Sequence, residues 1–215
     1  MNKHTKQDNL SLILTDNSQN RKTGDMIQAW IILNTPDLKP TEACKTGEDK
    51  AICGDCPHRS KSCYVNVGQA PNQIYRALQR GSYDNKTIDT TNKLVRCGAY
   101  GDPAFIKLST WQQLLEPSAG SVGYTHQWKS CDNQYASFLM ASCDSPEDRQ
   151  EAKKLGYRTF RVRRAGEPLL PGEMNCPADH AINPVQCAQC MKCGGTKKQC
   201  KDISIVVHGS RAKNF

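Results

Sequence analysis

The sequence predicts an α/β fold built on a parallel sheet. Short runs rich in apolar residues, of the kind that form buried strands, alternate with segments of helical composition. Ser145 and Pro146, followed by two acids, form a helix-start signal, because the serine can cap the helix and the acids complement its dipole. Strands that alternate with helices favour βα units and parallel pairing. Strand segments are expected within 22–33, 94–99, 123–126, 138–142, 159–162 and 203–207, and helices within 73–80, 110–115 and 145–155.

The chain of 215 residues is long enough for one domain with its own core. Residues 1–21 are polar and are expected to form a flexible tail. Residues 22–215 are expected to form a single α/β domain with cysteine-rich insertions at 44–63 and 176–200. Because the sequence has neither a signal peptide nor an apolar run that could span a membrane, a cytoplasmic location and no membrane partner are expected.

Four cysteines near the C-terminus have the spacing of iron–sulfur ligands. Cys187, Cys190 and Cys193 follow C-x2-C-x2-C, and the remote Cys176 is followed directly by Pro177. Ferredoxin-type sequences hold a cubane cluster with such a triplet and a remote Cys-Pro. We call these four residues the C-terminal cysteine group and predict that they bind a 4Fe-4S cluster. Zinc is the alternative, since four thiolates also suit a tetrahedral zinc ion.

Three further cysteines form an N-terminal cysteine group. Cys53, Cys56 and Cys63 follow C-x2-C-x6-C, and Gly54-Asp55 suits a turn between the first two. Without a secretory signal, such spacings favour metal ligands over disulfides. The group could hold its own metal with Cys44 or His58 as the fourth ligand, supply thiolates to the C-terminal site, or be a turn with reduced cysteines. The roles of Cys44 and Cys200 stay open.

Polar residues follow the predicted strands and are the candidates for a ligand pocket. In parallel sheets and barrels the carboxyl ends of the strands meet at one edge, where ligands bind. His126 can exchange protons near neutral pH, and Arg161 and Arg163 share one strand face and can bind an anion. The alternative is that these side chains belong to ordinary loops and that the arginines face solvent. The predicted pocket comprises Asp102, His126, Asp144, Arg161, Arg163 and His208.

The charge of the chain favours an anionic partner. Lys and Arg number 29 and Asp and Glu 21, which gives a net charge of +8. Such a balance suits nucleic acid or a phosphorylated ligand. A solvated basic surface is the alternative.

Several motifs resemble an uncharacterised phage family, the one named for gene product eighty-eight. The resemblance covers roughly residues 22–210 and rests on KTGDMIQAW, CGDCPHRSKSCYV, GAYGDPA, GYTHQW, ASCDS, GYRTFRV, the Cys-Pro pair, CAQCMKC and VVHG. It implies a phage or prophage protein that works in the cytoplasm of the host bacterium. The cysteine groups and the βα order are also distantly similar to radical-SAM barrels, which implies a partial TIM-like (βα) barrel with an iron–sulfur cluster near its mouth. The radical-SAM motif C-x3-C-x2-C is replaced here by C-x2-C-x6-C and C-x2-C-x2-C, so cleavage of S-adenosylmethionine is not expected.

Three hypotheses for function follow from these patterns. The first is a phage or prophage iron–sulfur protein that binds nucleic acid or another anionic ligand. The second is a redox or radical-type enzyme in which Asp102, His126, Asp144 and Arg161 line a small-molecule pocket. The third is a zinc-stapled interaction protein that counters a host system. Neither a nucleophile–base pair nor a phosphate loop is evident, so the sequence names no reaction.

Overall fold

One sheet of nine strands organises the computed structural model, which describes all 215 residues. The strands run in the order β1-β2-β3-β4-β5-β6-β7-β9-β8 across the sheet. β1–β3 pair antiparallel, and every pairing from β3 onward is parallel. The strands are β1 (His4–Gln7), β2 (Leu10–Thr15), β3 (Ile27–Leu33), β4 (Leu94–Tyr100), β5 (Gly120–Thr125), β6 (Met140–Cys143), β7 (Thr159–Arg163), β8 (Glu173–Asn175) and β9 (Asp202–Val206).

Six α-helices connect or flank the strands. α5 packs against β6 and β7, and the first three helices lie near β3 or one another. Ser145 caps α5 as predicted, because its Oγ accepts the backbone N–H of Asp148 at 3.0 Å. The helices are α1 (Pro40–Thr46), α2 (Lys50–Cys53), α3 (Ala70–Gln79), α4 (Leu108–Leu115), α5 (Pro146–Lys154) and α6 (Cys187–Cys190). None of them is long and apolar enough to cross a membrane.

The prediction of a flexible tail over residues 1–21 is wrong. Leu12, Ile13 and Leu14 on β2 are at most 1% exposed and belong to the main hydrophobic core. β2 lies between β1 and β3, so its backbone groups are paired on both sides. The polar composition of the segment reflects the edge strand β1, which tolerates His4 and Lys6 because one side of it faces solvent.

The predicted α/β class with a mostly parallel sheet is confirmed. The predicted strands and helices are present, with their ends shifted by a few residues. The sheet does not close, since β1 forms one edge and β8 the other. The sheet is therefore open and does not form a closed barrel. The parallel strands β4–β7 and β9 have their carboxyl ends at a common edge, where the candidate site lies.

Candidate metal centres and the strand-end cavity

A cavity of about 430 Å³ lies at the carboxyl ends of the parallel strands. We call it the strand-end cavity. Its apolar floor consists of alternate residues of the strands, since period-two side chains share a sheet face. Val122 and Tyr124 come from β5, Phe160 and Val162 from β7, and Ile205 from β9. The cavity is therefore a product of the parallel sheet rather than of one loop.

The N-terminal cysteine group forms one wall of this cavity. All three of its members, Cys53, Cys56 and Cys63, are lining residues. The loop is held to the strand ends by the backbone N–H of Asp102, which donates to the carbonyl of Ile52 at 2.7 Å. The side chain of Gln127 donates to the carbonyl of Cys53 at 3.3 Å.

Gly54 and Arg59 fix the shape of the N-terminal cysteine loop. A Cβ on Gly54 would come within 2.5 Å of the Gln127 side chain, and its φ of +58° favours glycine. The guanidinium of Arg59 donates to the carbonyls of Gly47 and Gly54 and pairs with the buried carboxylate of Asp49 at 2.6 Å. These contacts turn the chain so that its cysteines face the cavity.

The C-terminal cysteine group closes another side of the cavity through Cys176 and Cys187. Backbone pairing holds its loop: the N–H of Cys187 donates to the carbonyl of Lys22, and the N–H of Ala188 donates to that of Thr23, both at 2.9 Å. The N–H of Gly123 donates to the carbonyl of Cys193 at 3.1 Å. The cysteine loop is thus tied both to the segment before β3 and to β5.

Arg158 holds the C-terminal cysteine segment, residues 176–200, in place. Arg158 is 9% exposed, and its side chain donates to four backbone carbonyls at distances of 2.6–3.1 Å. The acceptors belong to Lys192, Gly195, Cys200 and Lys201. The segment has no strand of its own, and these bonds replace the ladder that a strand would provide.

The thiols of both groups are partly to largely withdrawn from water. Burial, reinforced by the neighbouring Cys187 and Cys190, raises the pKa of Cys176 to about 11. Burial and then Cys176 raise the pKa of Cys193 well above its usual range, and burial and then Cys56 do the same for Cys53. In the absence of a cation these sulfurs would stay protonated. A bound metal or cluster would stabilise the thiolates.

The cysteine sulfurs do not form a closely spaced set of metal ligands. All twelve cysteines are free thiols. Zinc–sulfur bonds of about 2.3 Å would place tetrahedral thiolates roughly 3.8 Å apart. Only one set of three or more His, Cys, Asp and Glu residues has its ligand atoms within 4.8 Å of one another. That set contains no cysteine. A cubane places irons and sulfides between its thiolates, so its ligands lie further apart.

Four of the six predicted pocket residues lie at the cavity or directly behind it. Asp102, His126 and His208 line it. Asp102 also accepts the backbone N–H of His126 at 2.8 Å, which fixes the end of β5. Asp144 lies behind the wall: its carboxylate oxygens are 2.7 Å from Nε2 of His58 and 3.6 Å from Nε2 of His126.

Asp102, His126 and Asp144 have shifted pKa values, because they are buried and close to one another. Burial lowers the pKa of His126, but contacts with Asp144 and Cys56 outweigh it and raise the pKa to about 10. Burial raises the pKa of Asp144, but His126 and His58 outweigh it and hold that pKa well below its usual range. Burial raises the pKa of Asp102.

The assignment of Arg161 and Arg163 to the pocket is wrong. Phe160 and Val162 of β7 face the cavity. Arg161 and Arg163 alternate with them and therefore project to the other face of the sheet. Arg161 is fully buried and makes a bidentate pair with Glu173 at 2.8 Å. The side chain of Arg163 donates to the carbonyl of Glu167 and to Asn175. Both guanidinium groups hold the chain around β8 instead of a ligand.

Several cavity residues were not predicted. Tyr64 and Arg96 line the cavity and are hydrogen-bonded to each other at 2.9 Å, and the Tyr64 ring stacks on that of His208. Lys22 lies at the wall because its backbone pairs with the cysteine loop. Among the unpredicted lining residues, only Tyr124 could have been found from the sequence, because alternation along β5 points it the same way as Val122.

The fold and site together define an α/β protein with a cavity at the strand ends and a wall rich in thiols and imidazoles. Comparison with known proteins adds nothing to this class: no family model, no curated protein and no solved structure matches the chain.

Proposed function

We propose that the protein is an iron–sulfur enzyme of the redox or radical type that acts on a small molecule in the strand-end cavity. The observation that carries the proposal is that thiols of both cysteine groups line the same cavity. A cluster that served only to hold the fold would have no need of a shared cavity. Two clusters on one cavity bring electron carriers to a bound ligand.

The two groups suit different roles in this scheme. The C-terminal group has four thiols, enough to complete a 4Fe-4S cluster. The N-terminal group offers three at the cavity wall, where Cys44 is not a lining residue, so a cubane bound there would have one iron without a cysteine ligand. That iron would be the place where a ligand or substrate reaches the cluster. The partial TIM-like barrel and the cysteine-rich metal-binding loops are part of this proposal.

Polar residues of the cavity favour a small anionic ligand. Arg96 supplies positive charge at the wall, and Tyr64 and Tyr124 supply hydroxyl groups beside apolar surface. The ammonium of Lys22 is paired with Asp179 at 2.8 Å. A few convergent polar groups in an apolar cavity are typical of a small-molecule site. Within the proposal, His208 orients the ligand.

Binding of nucleic acid is supported less well. Its support is the charge of +8. The internal bonds of Arg158, Arg161 and Arg163 remove these three guanidinium groups from any surface that could contact phosphates. A zinc-stapled interaction protein has less support, because no three cysteine sulfurs lie within 4.8 Å of one another, as the thiolates of a tetrahedral zinc site do. Phage or prophage origin rests on the sequence resemblance alone.

An electron paramagnetic resonance experiment tests the proposal. Protein purified without oxygen and reduced with dithionite should give signals from two clusters, one lost in Cys56→Ser and the other in Cys190→Ser. Cyanide, a small ligand for an open iron, should shift the signal that Cys56→Ser removes and leave the other unchanged. If cyanide shifts neither signal, no open iron faces the cavity and the enzyme proposal fails. Retention of duplex DNA with a steep salt dependence would instead support the nucleic-acid hypothesis.

A further inference from the structure

We propose that His58, His126 and Asp144 bind a divalent transition-metal ion, separate from the iron–sulfur clusters. These are the three residues whose ligand atoms lie within 4.8 Å of one another. We call them the His–Asp–His site. They come from three distant parts of the chain: the N-terminal cysteine loop, the end of β5 and the end of β6.

The distances within the site are close to those of a coordination sphere. Nε2 of His58 is 2.7 Å from one oxygen of Asp144, and Nε2 of His126 is 3.6 Å from the other. Metal–nitrogen and metal–oxygen bonds of about 2.0–2.2 Å place neighbouring ligand atoms roughly 3 Å apart. An ion could therefore enter between the three donors with small side-chain movements.

His126 supplies an independent observation that points to a ligand. Its Nε2 is buried, and the Asp144 oxygen beside it is 3.6 Å away, which is outside hydrogen-bond distance. A buried ring nitrogen without a partner is unfavourable, and such groups are rare. A metal ion at this point would satisfy Nε2 and would neutralise the carboxylate beside it.

The second ring nitrogen of His58 is held as metal-bound histidines usually are. Its Nδ1 lies 2.7 Å from Oγ of Ser62, which belongs to a buried residue. In the metal-free protein the Nε2–H of His58 donates to Asp144 at 2.7 Å. A bound ion would replace that proton, and the Nδ1–H would then donate to Ser62. The ring of Phe215 stacks on His58 at 5.4 Å and shields it from solvent.

Two imidazoles and one carboxylate select the chemical class of the ion. This set with open coordination positions is the ligand set of non-haem Fe²⁺, and imidazole also suits zinc and nickel. His58 and His126 line the strand-end cavity, so the open positions would face the same space as the cysteine groups. The ion would be a binding point for an anionic or oxygen-donor ligand.

Cobalt binding tests the site. The full-length protein, purified without oxygen, is washed with a chelator, its remaining iron is counted, and Co²⁺ is titrated by equilibrium dialysis. Wild type should bind one Co²⁺ per chain. The affinity should fall at least tenfold in Asp144→Asn and in His126→Gln, with the iron count unchanged, and about tenfold in Ser62→Ala, as losses of an outer partner do. The matched control is Glu151→Gln, an exposed acid that pairs with Lys129, and it should bind as wild type does.

Three results would overturn the site. The first is equal cobalt affinity in wild type and Asp144→Asn. The second is cobalt that Asp144→Asn keeps and Cys56→Ser loses, with strong near-ultraviolet sulfur-to-cobalt bands, because the thiolates then hold it. The third is thermal: Co²⁺ should raise the midpoint of wild type more than that of Asp144→Asn, since an ion that binds only the folded state stabilises it. Equal midpoint shifts in wild type and Asp144→Asn at saturating Co²⁺ would show that no such site exists. If the clusters are lost, the freed thiolates can also bind Co²⁺, and the comparison with Asp144→Asn separates that binding from binding at the His–Asp–His site.

Discussion

At the scale of single residues, Arg161 tests the packing of the sheet outside the cavity. It lies with Glu173 in a pair whose two side chains have no exposed surface. Removing one partner of a buried pair leaves an uncompensated charge, which typically costs about 3–5 kcal/mol. Arg161→Met should therefore lower the free energy of unfolding by roughly that amount in urea denaturation.

The control for this variant is its neighbour Arg164, which is exposed. Arg164→Met should change the free energy of unfolding by no more than about 0.5 kcal/mol. If Arg161→Met were as harmless as the control, the arginine would be solvated rather than buried. The sequence could not decide this, because alternation shows that Arg161 and Arg163 share a face but not which face the sheet turns toward the cavity.

At the scale of elements, Gly195 determines how the C-terminal cysteine segment docks on the domain. A Cβ there would lie 2.5 Å from the carbonyl oxygen of Ala136 and 2.6 Å from the amide nitrogen of Phe138. Gly195→Ala should lower the free energy of unfolding and the iron content together. Gly166→Ala is a matched control, because Gly166 also has a positive φ but would meet nothing within 4 Å. The control should show only the backbone cost, roughly 1–2 kcal/mol, and equal losses in both variants would show that the segment does not dock there.

The strand β2 offers a second test at this scale. Leu12 is 1% exposed, and Leu→Ala changes in a core typically cost about 2–5 kcal/mol. Leu12→Ala should destabilise the protein by that amount, whereas Lys6→Ala on the exposed side of β1 should have little effect. The two variants can be compared by urea denaturation at equal protein concentration. A flexible tail would make both changes neutral.

A helix or strand can be predicted from the sequence when the residues that specify it lie close together in the chain. α5 was predictable because Ser145, Pro146 and the acids after them act within one turn. β1 was missed because its polar residues are stabilised by pairing with β2 and not by burial. The sequence indicated the strand-end residues His126 and Asp144, but their meeting with His58 depends on contacts between distant segments.

At the scale of the whole molecule, the cysteine groups join distant parts of the chain around one cavity. The carbonyl of Lys22 accepts from the N–H of Cys187, and the N–H of Asp102 reaches back to Ile52. If clusters complete these connections, their binding energy is part of the folding energy. Removing the iron by oxidation and chelation should lower the thermal midpoint and increase proteolysis within 44–63 and 176–200. Unchanged cleavage after iron removal would show that the loops hold their shape without metal.

The measurement that tests the central claim most directly is the iron, zinc and acid-labile sulfide content of protein made and purified without oxygen. The account predicts acid-labile sulfide enough for two clusters per chain, at least as much iron as sulfide, and a broad visible absorption. Cys190→Ser should remove about half of each, because Cys190 belongs to only one group. Zinc without iron, or a colourless protein in which Cys53 and Cys63 form a disulfide, would contradict the account.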